Sequence, residues 1–236
     1  MRQAEPPRYE FKLRCEPHHL HQIHGWVRLH PAHFRVTYPP RQVNNLYFDT
    51  LDHQSLFDNL DGVGTRQKLR LRWYGQDLES TAQAQLELKC KEGLIGWKQT
   101  CALEALSLNL DQQLWTEINS AIRSSADARA GFWIDRFTLP VLINHYQRAY
   151  FATPDQTIRL TIDSDLFAYD QRFSRRPNLQ RSLPVVDKVI VELKADQQYY
   201  SGLANLLCDF PIRVDRNSKF VQGMLATPDL AGVGLL

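Results

Sequence analysis

KLRLRW, residues 68–73, alternates strictly, with Lys68, Arg70 and Arg72 on one side and Leu69, Leu71 and Trp73 on the other. A period of two over this length signals a strand, because successive side chains of an extended chain leave on opposite faces. The same alternation recurs three times. RYEFKLR (8–14) sets Arg8, Glu10, Lys12 and Arg14 against Tyr9, Phe11 and Leu13. QAQLELKCK (83–91) sets Gln83, Gln85, Glu87, Lys89 and Lys91 against Ala84, Leu86, Leu88 and Cys90. VIVELK (189–194) sets Glu192 and Lys194 against Val189, Val191 and Leu193. Further strands are expected at 43–49, 97–102, 142–152 and 159–163. Helices are expected at 17–29, 52–61, 103–123, 199–208 and 218–226. Gly62-Val63-Gly64 and Glu92-Gly93 punctuate loops. About seven or eight strands with several helices predict an α+β domain whose sheet closes into a barrel.

A chain of 236 residues suits one domain over 1–236 with a sizeable core. The net charge of +2 argues against a general nucleic-acid binder, so basic chemistry must come from local arrangement. Cys15, Cys90, Cys101 and Cys208 are scattered, and read as reduced thiols rather than a disulfide frame or zinc site. The first residues carry no apolar signal region, and no stretch approaches the ~20 apolar residues a membrane helix needs. A soluble, cytoplasmic protein with no membrane span is expected.

For any single strand of this kind, the ordinary arrangement is apolar face inward and charged face to water. Here the four polar faces are dominated by Lys and Arg although the whole chain is nearly neutral. Gathering so much positive charge costs self-repulsion unless an anion offsets it. A barrel of about eight strands holds side chains or one small ligand. Basic faces turned inward therefore imply a polyanion inside and helices covering the apolar exterior. Phosphate suits this lining, since Arg forks its oxygens and Lys supplies a point charge.

RYEFKLR (8–14), NNLYFDT (44–50), KLRLRWYG (68–75), LELKCKEG (86–93), NHYQRAYF (144–151), RLTIDSDL (159–166), VIVELKAD (189–196) and RNSKF (216–220) together resemble the VTC (vacuolar transporter chaperone) domain. That domain is the polyphosphate polymerase branch of the triphosphate tunnel metalloenzyme, or CYTH-like, superfamily. The resemblance implies an antiparallel tunnel barrel with helices outside. It also implies an enzyme that binds ATP, triphosphate or polyphosphate and transfers the terminal phosphate of ATP with Mn²⁺ or Mg²⁺. It assigns catalytic phosphate contacts to Lys12, Arg70, Arg72, Lys89, Arg148 and Lys219. Arg14, Lys68, Lys91, Tyr146, Lys194 and Ser218 become further substrate-binding positions. Glu192 is implied as the principal metal ligand, with Glu10, Glu87 and Asp163 assisting through water. The superfamily opens with E-x-E-x-K, whereas this chain has Arg8-x-Glu10-x-Lys12. That favours the VTC branch and removes one carboxylate.

Plainer readings stand beside these. Glu192 in a salt bridge to Lys194, Asp163 as a turn cap and Lys219 as a surface helix residue need no ligand. His18, His21 and His24 read as an exposed helix face. Tyr47, Trp73, Trp97 and Trp133 are expected to pack between barrel and helices rather than stack on bases, with contact of one of them with adenine left open. No P-loop, G-x-S-x-G or G-x-G-x-x-G motif is present. Two alternatives remain: a tripolyphosphatase or nucleoside triphosphatase using the same tunnel, and a non-catalytic polyphosphate-binding module. Protein partners stay unspecified.

Overall fold

The computed structural model describes residues 8–93, 95–186, 188–212 and 217–230; Arg216 of the RNSKF segment lies outside them. The described elements are β1 (Arg8–Cys15), α1 (Leu20–Leu29), β2 (Arg35–Asp49), α2 (Gln54–Leu60), β3 (Thr65–Tyr74), β4 (Gln85–Glu92) and β5 (Ile95–Ala102). They continue with α3 (Trp115–Ser125), α4 (Ala128–Arg136), β6 (Leu139–Ala152), β7 (Ile158–Asp170), β8 (Val189–Asp196), α5 (Tyr200–Cys208) and α6 (Lys219–Leu225). The strands close into a barrel in the order β1-β5-β4-β3-β2-β6-β7-β8. Every described pairing is antiparallel, and the seam between β1 and β5 is a single pair, Arg8 with Gly96.

The apolar members of each alternating strand face outward and are covered by helices. Leu69, Leu71, Trp73, Leu86 and Leu88 meet Ile118 and Ile122 of α3 and Trp133 of α4. Leu13, Leu160, Val191 and Leu193 meet Ile23 and Val27 of α1 and Leu203 and Leu206 of α5. Each such side chain, fully buried, contributes about 1.5–3 kcal/mol. These two layers, rather than the barrel interior, hold most of the hydrophobic stabilisation.

α6 departs from the expectation that helices lie outside. In register, Tyr47 faces Arg70 across β2 and β3 and Leu142 across β2 and β6, so Tyr47 and Leu142 share the inward face. Phe220 of α6 packs on Tyr47 with ring centroids 5.1 Å apart. A Cβ at Gly223 would stand 2.5 Å from Leu142 Cδ2 and 3.4 Å from Ala168 Cβ. The helix therefore stops one end of the tunnel, and glycine is what lets it approach that wall. Tyr47 consequently belongs to the interior, not to the barrel–helix layer where Trp73, Trp97 and Trp133 sit.

Three further expectations need correction, and one element was missed. Gln83 has a left-handed φ of 53° and stands before β4, which starts at Gln85. Residues 103–114 form no helix: Leu106, Leu108 and Leu110 are buried at a spacing of two, and Ser80 bridges Asn109. β2 begins as early as Arg35, carrying Pro39 and Pro40 through register shifts on either side of Tyr38. α4 was not anticipated; its Gly131 backbone lies against the Arg123 guanidinium of α3, and Arg123 pairs with Asp135 at 2.8 Å. Among the described residues, no helix is long and apolar enough to cross a membrane.

Candidate functional site

Register places the basic faces of β1, β3, β4 and β8 on one interior surface, joined by Arg148 of β6, Asp163 of β7 and, from α6 and its N-cap, Lys219 and Ser218. The carboxylates inside are each ringed by cations, some of which they share.

Glu87, nearly inaccessible, accepts Arg70 Nε and Nη2 at 2.8 and 2.6 Å and Lys98 Nζ at 2.8 Å. Burial works to raise its pKa, but Arg70, Arg72 and Lys98 outweigh it and hold the carboxyl well below the usual range. Asp163 accepts Arg148 through both its oxygens at 2.5 and 2.7 Å, and Lys219 Nζ at 2.6 Å. Burial is again outweighed, here by Arg148 and then Lys219, so Asp163 stays ionised. It lies within β7 and caps no turn.

Glu192 is bonded by Lys194 at 2.7 Å, with Arg148 at 3.7 Å and Lys12 at 3.8 Å. The Lys194 salt bridge raised as its plain alternative is thus present, and Arg148 joins it. Glu10 meets Lys89 at 3.0 Å and Lys12 at 3.3 Å. Burial opposes ionisation of Glu192, yet Lys194 and Lys12 hold it well below its ordinary value.

The cations outnumber these carboxylates. Lys68 makes no ion pair among the described residues; its Nζ donates to Ser218 Oγ at 3.0 Å and lies 5.2 Å from the Phe220 ring centre. Burial, then repulsion from Lys12, Lys89, Arg66 and Arg70, pushes its pKa well below that of a free lysine. Burial also brings Lys89 down to about 8, despite Glu10. Lys12 Nζ donates to the Asn217 carbonyl at 3.0 Å. Arg72 donates to Asn45 Oδ1 at 2.9 Å and to the Tyr146 hydroxyl at 3.2 Å, and Asn45 is braced by Asn144 at 2.9 Å. The Tyr146 ring lies under both Arg148 and Lys219.

Thus Lys12, Lys68, Arg70, Arg72, Lys89, Tyr146, Arg148, Lys194, Ser218 and Lys219 come together with Glu10, Glu87, Asp163 and Glu192. Arg14 does not join them: it is exposed at the end of β1, opposite Ile190. Lys91 sits at the end of β4, half-buried, beside Arg66 and Gly96. Sequence reasoning missed Lys98, Asn45, Asn144 and the inward Tyr47. Lys98 had a signal, since Lys98 and Thr100 alternate with Trp97, Gln99 and Cys101 along β5.

No group of three His, Cys, Asp or Glu side chains suited to a metal occurs among the described residues. Glu87 is committed to Arg70 and Lys98, and Arg148 stands between Asp163 and Glu192, reaching both. Glu10 and Glu192 adjoin across β1 and β8. Mg²⁺ and Mn²⁺ sites of this kind use one or two carboxylates and complete the shell with water and phosphate oxygens, so this pair fits such an ion.

Residues 7–227 match the family profile described as the VTC domain. No curated protein matches the chain significantly in sequence. Among solved structures, a putative adenylyl cyclase from Hippeastrum, described as having a dominant triphosphatase activity, aligns with a TM-score of 0.50 at 18% identity. The alignment covers 90% of this chain and 93% of that one, and shows a shared fold. A putative adenylate cyclase from Vibrio parahaemolyticus aligns with a TM-score of 0.48 at 12% identity, covering 89% and 95% of the two chains.

Proposed function

The chain belongs to the VTC domain family, and from that premise we propose that its tunnel binds the triphosphate of ATP and passes the terminal phosphate to a polyphosphate chain. The observation that carries this is the charge arrangement inside: each of Glu10, Glu87, Asp163 and Glu192 is already bonded to cations, and Lys68 has no counter-charge among the described residues. A bound polyanion supplies what the lining lacks.

Phosphoryl transfer asks mainly for alignment and charge stabilisation. Arg70 and Arg148 have their guanidinium planes fixed by Glu87 and Asp163, and Arg72 by Asn45 and Tyr146. They present oriented donors without the entropy cost of ordering free side chains. Lys12, Lys68, Lys89 and Lys219 neutralise the chain and the charge that develops on the leaving oxygen. A divalent ion, when bound by Glu10 and Glu192, supplies Lewis-acid polarisation of phosphate oxygens. An incoming phosphate is already an anionic nucleophile and needs no general base. Hydrolysis would use the same tunnel, with water in place of the incoming phosphate, and the products separate the two.

The test is incubation of purified protein with ATP and Mn²⁺ or Mg²⁺, with products resolved by gel and ³¹P NMR. Chains of phosphate with ADP are expected. Orthophosphate and ADP without chains would establish a hydrolase, and intact ATP with tight polyphosphate binding would establish a binding module.

A further inference from the structure

At the end of the β3–β2–β6 wall remote from α6, the inward face continues past the charged residues into an aromatic cluster. Arg41 pairs in register with Arg148, Tyr38 with Tyr150, and Tyr74 with Val43, so all four side chains belong to the tunnel side of the sheet. The Arg41 guanidinium carbon lies 4.0 Å from the Tyr74 ring centre, 5.0 Å from Tyr150 and 5.5 Å from Tyr38. Arg41 Nε donates to the Tyr150 hydroxyl at 3.1 Å, and the Tyr38 and Tyr150 rings meet edge to face. Among the described residues Arg41 makes no ion pair with a carboxylate. Tyr38 is 57% exposed and Tyr74 37% exposed.

We infer that Tyr38, Arg41, Tyr74 and Tyr150 form a nucleobase platform at the tunnel mouth, which selects a nucleoside triphosphate over a bare polyphosphate. This rests on the triphosphate reading of the tunnel. The chemistry fits a flat, π-rich ring: exposed tyrosine faces and a guanidinium plane are surfaces on which any base stacks, whatever its hydrogen-bonding edge. The position fits as well. Arg148, the nearest interior phosphate contact, is the direct strand neighbour of Arg41. A triphosphate with its terminal phosphate toward Lys68 and Lys219 sends its nucleoside outward along this wall, because α6 stops the other end. The platform offers stacking but no described acceptor–donor pair aimed at a base edge, so purine nucleotides differing only in edge groups are expected to bind alike.

The experiment compares ATP with tripolyphosphate, without metal so that nothing turns over. Titration calorimetry gives both affinities for the wild type, Arg41→Ala, Tyr74→Leu and Tyr74→Phe. Saturation-transfer NMR reads contact at the adenine H2 and H8 protons. Arg41→Ala and Tyr74→Leu are expected to lower the ratio of ATP to tripolyphosphate affinity about tenfold, within the range that base stacking contributes. Tyr74→Phe is expected to keep the ratio, and wild-type adenine protons to show saturation. Tripolyphosphate binding in the same preparation reports an intact tunnel. An unchanged ratio in both variants, equal loss of both ligands, or no saturation of the adenine protons would overturn the platform while leaving the tunnel assignment standing. Failure of the wild type to bind tripolyphosphate would remove both.

Discussion

Replacing Lys68 by methionine should stabilise the empty protein and cripple the site. Lys68 carries a charge into a half-buried position where Lys12, Lys89, Arg66 and Arg70 repel it, and its only hydrogen-bond acceptor among the described residues is the neutral Ser218 hydroxyl. Methionine has a similar length, keeps the contact with Phe220 and removes the repulsion. Relief of such an unpaired charge is worth about 1–2 kcal/mol, or a Tm rise of about 2–8 °C for a domain of this size. The sign with pH follows from the lowered pKa. Between that value and the ordinary lysine pKa, the unfolded chain binds more protons than the folded one, so wild-type stability rises with pH across this window. The advantage of Lys68→Met should therefore be largest near neutrality and shrink as the solution becomes alkaline. Binding should move the other way: loss of one charge-assisted phosphate contact costs about 1.5–3 kcal/mol, or about ten- to hundredfold in tripolyphosphate affinity. Calorimetric unfolding at pH 7 and pH 10, with titration of tripolyphosphate, reads both. A less stable empty variant that binds tripolyphosphate as tightly as the wild type would refute the reasoning.

The other predictions concern the groups that hold the lining in place. Arg148→Ala should lower stability by about 3–5 kcal/mol, because it strips Asp163 of its bidentate partner inside the barrel; Arg148→Ala/Asp163→Ala should recover part of that in denaturant unfolding, and a deeper loss in the double variant would refute it. Gly223→Ala should weaken tripolyphosphate binding without altering any charged residue, since the added methyl meets Leu142 and pushes α6, with Lys219, out of place; strained packing of this kind costs about 1–3 kcal/mol, and unchanged affinity and Tm would show that Leu142 yields freely. Glu192→Gln should remove metal-dependent turnover while leaving metal-free polyphosphate binding in place; normal turnover would move the metal away from the Glu10–Glu192 pair.

The barrel was legible because alternation constrains both faces at once. A strand such as KLRLRW has an apolar side that must be covered, and the repeated excess of cations on the other side made an outward, solvated placement costly for a neutral chain. What alternation cannot register is an element that enters the barrel. α6 has the apolar residues of an ordinary helix, and it takes the contacts of Phe220 with Tyr47 and of Gly223 with Leu142 and Ala168 to reveal that its neighbours are inward-facing. Tyr47 was misplaced for the same reason: an aromatic residue inside a charged tunnel makes sense only beside Phe220. For the carboxylates, inward direction fixes a face and not a partner. Glu87 and Asp163 do point inward, but arginine forks that were counted for phosphate already occupy them.

Those same pairs explain how a barrel lined with cations stays folded without a bound anion. Glu87 and Asp163 hold Arg70 and Arg148 as counter-ions, so most of the interior charge is compensated before any ligand arrives. The remainder, centred on Lys68, is a standing cost that only an anion removes. Binding of tripolyphosphate should therefore raise Tm, with about 2.7 kcal/mol of added stability at a hundredfold excess over Kd. It should also draw protons from solution at pH 9, because the bound anion restores the charge that burial suppresses on Lys68. Calorimetric titration in buffers of different ionisation enthalpy measures that uptake directly. Proton release in its place would mean that the anion binds away from Lys68, and that the cation surplus inside the barrel has another purpose.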